Sequence, residues 1–406
     1  MKILMLTPYL PYPPASGGQI RTLNLLKYLS KNNEITLIAL YKNEKEKTYA
    51  KYLESYCKKI HLCKRAEKPW QIKNIFKSVF SLLPFLIVRN FSEEAKQTVE
   101  KLLQKEYYDV IHAETFYIMP HIPETKIPIF LLEQTLEYKV YQHFVDSLPF
   151  YLRSFFYFDI LKLKYWERYY WKRAFLVGAV SETDRKLINS IESGIHPVVV
   201  PNGAGDEFIA FQLTKKDMSS PTALFVGNFA WLQNIEAASY LSRLILPKLI
   251  DNIPNFKLVI AGQRAKEKLK INSTSNLQIV DIDTDDVHLV KKTYETATIF
   301  IAPIFGPGGT RLKILAAMAT GIPIISTNTG VSGLLAKDSY NVLIADTPED
   351  FVIKIKKVLT DRKLYEKLRT NSYKLVNEVY NWKKISQKLQ IVYESIKKHD
   401  TTPQSK

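Results

Sequence analysis

The sequence predicts an α/β protein built from two Rossmann-like domains, each a parallel sheet covered by helices. Three observations lead there. Apolar runs of strand length alternate with helical patterns along most of the chain, the arrangement that builds parallel sheets through crossover helices. At 406 residues the chain exceeds what one hydrophobic core usually organises. The pattern also restarts, because a fresh strand, helix and strand follow Pro201-Asn202-Gly203.

The run Lys2–Thr7 reads as a strand, followed by a Pro- and Gly-rich loop, a helix over Gln19–Ser30 and a second strand over Ile35–Leu40. That is a βαβ unit. Further strands are predicted at Val110–His112, Ile129–Leu132, Leu176–Val180 and Val198–Val200. The second half gives strands at Ala223–Gly227, Lys257–Ala261, Leu277–Val280, Ile299–Ala302, Pro323–Ser326 and Asn341–Ile344, with a helix from about Ile235 to Leu249 and basic helices closing the chain. The expected divisions are 1–200 and 201–380 for the two domains and 381–406 for a closing helix and tail.

Composition bounds the class. Apolar residues make up 46% and charged residues 24%, and no long tract is biased toward Gly, Ser or Pro, which excludes extensive disorder. Cys57 and Cys63 are the only cysteines, too few for a disulfide-stapled chain of this size, and a reducing cytoplasm is expected. Met1–Pro14 lacks the apolar core and cleavage site of a signal peptide. The most apolar stretch, Val79–Val88, contains Pro84 and falls short of the roughly 20 residues that span a bilayer. The net charge of +17 favours anionic partners such as phosphorylated small molecules or lipid headgroups. No nucleic-acid-binding module is recognisable, and no nucleic acid is expected as a partner.

The most informative segment is Phe305-Gly-Pro-Gly-Gly-Thr-Arg-Leu-Lys-Ile-Leu-Ala-Ala-Met-Ala319, a strand, a glycine loop and a helix start in succession. Glycines let backbone approach an oxyanion, and the free N–H groups of a helix N-terminus stabilise its charge. Arg311 and Lys313 add two cations. The dinucleotide pattern would need another Gly where Arg311 stands, and a Walker loop would need Gly-Lys-Ser or Gly-Lys-Thr, so this is a phosphate loop of another kind.

On these residues the chain resembles family four of the retaining glycosyltransferases, which have the GT-B fold, in the branch whose loop reads Gly-Gly-Thr-Arg-Leu-Lys-Ile-Leu. The resemblance spans nearly the whole chain through Pro14-Ala-Ser-Gly-Gly-Gln-Ile-Arg21, Asp109-Val-Ile-His-Ala-Glu114, Val180-Ser-Glu-Thr-Asp184, Val200-Pro-Asn-Gly203, Leu224-Phe-Val-Gly227 with Asn234, and Gly321-Ile-Pro-Ile-Ile-Ser-Thr327. It implies two Rossmann-like domains facing across a cleft, with C-terminal helices returning toward the N-terminal domain. It further implies a nucleotide-diphosphate sugar bound by Gly17, Gly18, Gly227, Gly308, Gly309 and Thr310, with His112 facing the donor sugar. Transfer would occur with retention, without a metal or other cofactor, Arg311 and Lys313 stabilising the departing phosphate. The acceptor would be a glycan or a glycolipid, bound in the N-terminal domain.

The chain departs from the family at its hallmark pair of glutamates eight positions apart, which here are Gly308 and Ala316. The second normally receives the donor ribose hydroxyls, and Ala316 removes about 1–3 kcal/mol for each such charge-assisted bond. Ser332 replaces a frequent Glu, and Asn228 and Gln233 replace a common Arg and Lys. The alternative reading is therefore a non-catalytic GT-B protein that binds a glycan or a partner enzyme.

Other residues leave two readings open. His112, at a strand end, is either a ligand-facing group or a satisfied core histidine. Arg21, Glu114 and Glu133 are candidates for acceptor contact or acid–base work, and Glu114, Glu133 and Glu137 equally suit helix caps. Asp281, Asp283, Asp285 and Asp286 read as a turn capping a helix over Val287–Tyr294 rather than a cation site. The aromatic and basic residues of Phe155–Trp171 suit either an anionic membrane surface, which would place the protein peripherally on the inner face, or a helix packed on the sheet.

Overall fold

The computed structural model describes residues 1–400 apart from 69, 210–215, 217, 284–285 and 308–309, with the backbone alone at 155, 207, 399 and 400. The chain forms two compact units, the first comprising Met1–Pro201 with Lys383 onward, the second Asn202–Trp382.

The sheet of the first unit has, among the described residues, seven parallel strands: β1 (Lys2–Thr7), β2 (Glu34–Tyr41), β3 (Lys59–Lys64), β4 (Val110–Glu114), β5 (Ile129–Glu133), β6 (Leu176–Ala179) and β7 (Val198–Val199), in the order β3-β2-β1-β4-β5-β6-β7. β1, β4 and β5 are buried along nearly their whole length, as continuous Ile, Leu and Val runs covered on both faces require. β3 escapes the sequence pattern because Lys59-Ile-His-Leu-Cys-Lys64 alternates polar and apolar residues, as an edge strand does. The second unit carries β8 (Thr222–Val226), β9 (Lys257–Gly262), β10 (Leu277–Asp281), β11 (Ile299–Ala302), β12 (Ile324–Ser326) and β13 (Leu343–Ile344) in the order β10-β9-β8-β11-β12-β13, also parallel. Each unit has its own hydrophobic core.

The helices that carry polar or exposed apolar groups of interest are α1 (Gly17–Leu29), α2 (Ile72–Val79), α3 (Glu137–Asp146), α4 (Phe150–Arg173), α5 (Leu232–Tyr240), α6 (Leu312–Ala319) and α7 (Trp382–Asp400). α1 begins two residues before the expected Gln19, so Gly17 and Gly18 form its first turn under the N-cap Ser16. α4 packs on the sheet through one side of the aromatic stretch. Ile160, Leu163, Tyr170 and Trp171 enter the core while Phe158, Leu161 and Tyr165 stay exposed. Asp286 caps the following helix through Leu289 N–H at 2.8 Å, whereas Asp285 lies outside the described residues. No helix among the described residues is long and apolar enough to cross a membrane.

Candidate active site

Both sheets reverse their strand order once, between β1 and β4 and between β8 and β11. At such reversals neighbouring loops diverge and open α/β sheets bind their ligands at the strand C-termini.

At the first reversal, β1 and β4 run in register with Met5 beside His112. The imidazole of His112 has no exposure. Its Nδ1 bonds Tyr393 of α7 and its Nε2 lies 3.1 Å from Glu114 Oε1. Both nitrogens are thus bonded inside the unit, and the ring acts on Glu114. Gln134 donates to the other carboxylate oxygen and to Tyr9 Oη at 2.7 Å. Burial works to raise the Glu114 pKa, but the hydrogen bond and charge of His112, with Arg21 and Gln134, overcome it and hold Glu114 below its ordinary value, ionised.

Arg21 comes from α1 and is buried. Its guanidinium donates to Pro201 and Val200 carbonyls, both at 3.0 Å. These bonds tie it to Val200 and Pro201, at the end of β7. Gly18 closes over Tyr9 and Gln134, and a methyl group there would come within 2.5 Å of Tyr9 Oη and 2.6 Å of Gln134 Oε1. Only glycine lets the α1 N-terminus come so near these groups.

Glu133 stands apart from this network. Trp171 Nε1 donates to its Oε1 at 2.8 Å, and burial pushes its pKa up to about 8. Glu137 is pushed up to about 7 by burial, and Glu167, whose Oε1 accepts the Glu137 N–H at 2.7 Å, is raised still further by burial and by both neighbours. These carboxyls hold protons near neutrality. Glu167 was not legible as part of a cluster, since it sits among the rings and cations of α4. Tyr393, 281 positions from His112, offered no sequence signal at all.

At the second reversal, β8 leads into Gly227 and β11 into the loop before α6. Arg311 precedes α6 and donates to the Gly306 carbonyl at 2.6 Å. Lys313, in the first turn, donates to Asn234 Oδ1 of α5 at 2.5 Å and lies 4.6 Å from the centre of the Phe225 ring. Burial, reinforced by Arg311, pushes its ammonium pKa down to about 7. Asn234 is oriented in turn by its donation to the Asn228 carbonyl at 2.7 Å, and Asn228 donates to Gln263. Gly227 packs against Asn234, and a Cβ on it would come within 2.9 Å of that side chain. Thr310 is buried. Gly308 and Gly309 lie outside the described residues. Ala316 is 6% exposed and belongs to the unit's hydrophobic core.

The structure therefore brings Arg311, Lys313 and Thr310 together with Gly227 in the second unit, and Gly18, His112, Glu114 and Arg21 together in the first. Glu133 belongs to the separate acid cluster.

Residues 220–361 match the family model for glycosyl transferases group 1. Over the whole chain, an uncharacterized 44.6 kDa protein in the cps region of Klebsiella pneumoniae is 23% identical, the match covering 95% of this chain and 97% of that one. Among solved structures, sucrose-phosphate synthase from Thermosynechococcus elongatus aligns with TM-score 0.71 at 14% identity, covering 98% of this chain and 99% of the other. The Anabaena protein Alr3699/HepE in complex with UDP-glucose aligns with TM-score 0.65 at 13% identity, covering 97% and 100%. The two units thus have the GT-B fold, and the match over residues 220–361 supports a glycosyltransferase.

Proposed function

We propose that this protein moves a sugar from a nucleotide-diphosphate donor to a glycan or lipid-linked acceptor, with retention of anomeric configuration and without a bound metal. The observation that carries the reading is the pairing of Arg311 and Lys313 at the start of α6, beside Gly227, at the strand reversal of the unit that matches the family model. Two cations and the N–H groups of a helix start form an anion site, and both stabilise negative charge as the bond from the anomeric carbon to the phosphate oxygen breaks. Gly308, Gly309 and Thr310 complete the second unit's donor set in this reading, and Gly17 and Gly18 open α1 of the first unit. The UDP-glucose named for the Anabaena structure supports a nucleotide sugar as donor class.

Glu114 is the ionised group of the first unit's polar centre, with His112 as its positioning residue. The acceptor oxygen bonds the anomeric carbon as that carbon's bond to the phosphate oxygen breaks, and the hydroxyl proton passes to the departing diphosphate. The free buried thiols Cys57 and Cys63 support action in a reducing cytoplasm.

One observation favours a second reading. Ala316 is packed in the core where a ribose-binding carboxylate would stand, which suits a non-catalytic protein that binds a glycan or a partner enzyme. A screen of UDP-, GDP- and dTDP-sugars separates the two. The transferase releases nucleoside diphosphate from at least one of them, whereas binding and hydrolysis absent for every sugar would leave the non-catalytic reading.

A further inference from the structure

Three cations meet at the C-terminal edge of the first unit's sheet. β2 and β3 pair in parallel with Tyr41 beside Lys64, and the Arg65 N–H donates to the Tyr41 carbonyl at 2.9 Å, so Lys42 and Arg65 leave the sheet side by side. Arg89 comes from the short helix Phe85–Asn90, and the Arg65 guanidinium donates to the side-chain oxygen of Asn90, the next residue. Asn90 is itself fixed, since its amide donates to the Leu86 carbonyl at 2.8 Å. All three cations are partly buried. Tyr117, from the turn after β4, lies within electrostatic reach of both guanidiniums.

Holding like charges together away from water costs free energy. Burial lowers the Arg65 pKa and Arg89 adds to the effect, against Tyr117 and Glu46. Burial likewise lowers that of Lys42, with Arg65 and Arg89 adding to it. The acids within reach are engaged elsewhere. Glu46 accepts the Lys42 N–H at 2.7 Å, Asp159 accepts the Ser78 hydroxyl at 3.2 Å and the Phe85 N–H at 2.9 Å, and Glu137 holds a proton near neutrality. Among the described residues none of the three cations forms an ion pair, and the Nε atoms of Arg65 and Arg89 are buried without a hydrogen-bond partner.

Such a cluster gains from an anion. Two planar guanidiniums match the paired oxygens of a phosphoryl group, and a lysine adds a point charge. The cluster also stands at strand C-termini, as Glu114 does, the edge where open α/β sheets take their ligands.

We propose that Lys42, Arg65 and Arg89 form a subsite for a phosphoryl group carried by the acceptor. The subsite stands on the geometry of the first unit, whereas the acceptor as its occupant rests on the transferase reading.

Isothermal titration of the full chain with pyrophosphate tests it. Because the loop of Arg311 and Lys313 would take the same anion, the titrations use the chain carrying Arg311→Ala and Lys313→Ala. One site remains there, and Arg65→Gln or Arg89→Gln added to it weakens binding by about tenfold. Lys101→Gln, which removes an exposed cation elsewhere in the unit, leaves binding unchanged. Equal melting temperatures show that the fold is kept, and Lys42→Gln replaces any variant that fails to fold. Farnesyl diphosphate binding more tightly than glucose 6-phosphate marks a lipid-linked acceptor, and the reverse a sugar phosphate. The proposal is overturned by absence of a site in the Arg311→Ala, Lys313→Ala chain, by unchanged affinity in the Arg65 and Arg89 variants, or by malonate binding as tightly as pyrophosphate. Pyrophosphate binding without release of nucleoside diphosphate from any sugar nucleotide by the wild type would keep the subsite and overturn the acceptor as its occupant.

Discussion

At the β1/β4 reversal the first unit places His112, Glu114, Arg21 and Gln134 in one buried network, each bonded to protein groups. At the β8/β11 reversal the second unit places Arg311 and Lys313 at the start of a helix, and burial already weakens the hold of Lys313 on its proton. The same sheet topology thus carries two chemistries. The first crevice is stabilised from within, and the second gains from an anion. Burial alone therefore does not mark a functional group, since the buried His112 and Glu114 are bonded to each other and to neighbouring side chains.

Substitutions should divide along this line. The largest expected effect is on turnover in the second unit. Arg311→Ala and Lys313→Ala are each expected to cut kcat on the order of 10²–10³-fold, about 3–4 kcal/mol, in protein that still folds. Steady-state kinetics beside calorimetry check this, and wild-type turnover in both would remove the diphosphate assignment.

In the first unit the effect should fall on stability. Glu114→Ala leaves the Arg21 and His112 network without its carboxylate, and removing one partner of a buried charged pair costs about 3–5 kcal/mol. Denaturant unfolding measures it. A variant as stable as the wild type but inactive would make Glu114 a group that touches substrate and would break the contrast.

The sharpest contrast lies in pH. Glu133 and Glu137 keep protons that the unfolded chain releases above the ordinary carboxylate value of 4.5. Their contribution to stability is therefore full below that value and is lost as pH rises toward about 8. Lys313 has the opposite sign. Its folded pKa of about 7 lies below the ordinary 10.5, so the unfolded chain binds more protons between these values and stability rises with pH across that window. Calorimetric scans should show the two slopes, Glu133→Gln flattening the first and Lys313→Gln the second. Unchanged slopes in these variants would assign the titration elsewhere.

Much of the fold was legible because parallel strands buried on both faces read as unbroken apolar runs, as in Ile299–Ala302 and Ile129–Glu133. The second unit's cations were legible for a local reason: Arg311 and Lys313 sit two residues apart beside a glycine loop, and their chemistry is set by neighbours in sequence. The first unit's network was not. The imidazole of His112 is decided by Tyr393, and the guanidinium of Arg21 by carbonyls about 180 positions away. Sequence shows that such a residue can bond, but only the fold shows what has already claimed it. The rings and cations of α4 stood out in sequence, whereas the meeting of its Asp159 and Lys162 with Ser78 of α2, more than 80 positions away, did not.

The membership of α7 in the first unit has a consequence for biogenesis. Domains emerging from the ribosome generally fold as units in order of appearance. Here Tyr393 and Lys397, the partners of His112 and Asp109, are translated after the whole of the second unit. Through most of translation the first unit therefore lacks the phenol and the ammonium that complete two of its buried polar groups. The half of the chain that is made first is thus the one whose buried polar groups are partnered last.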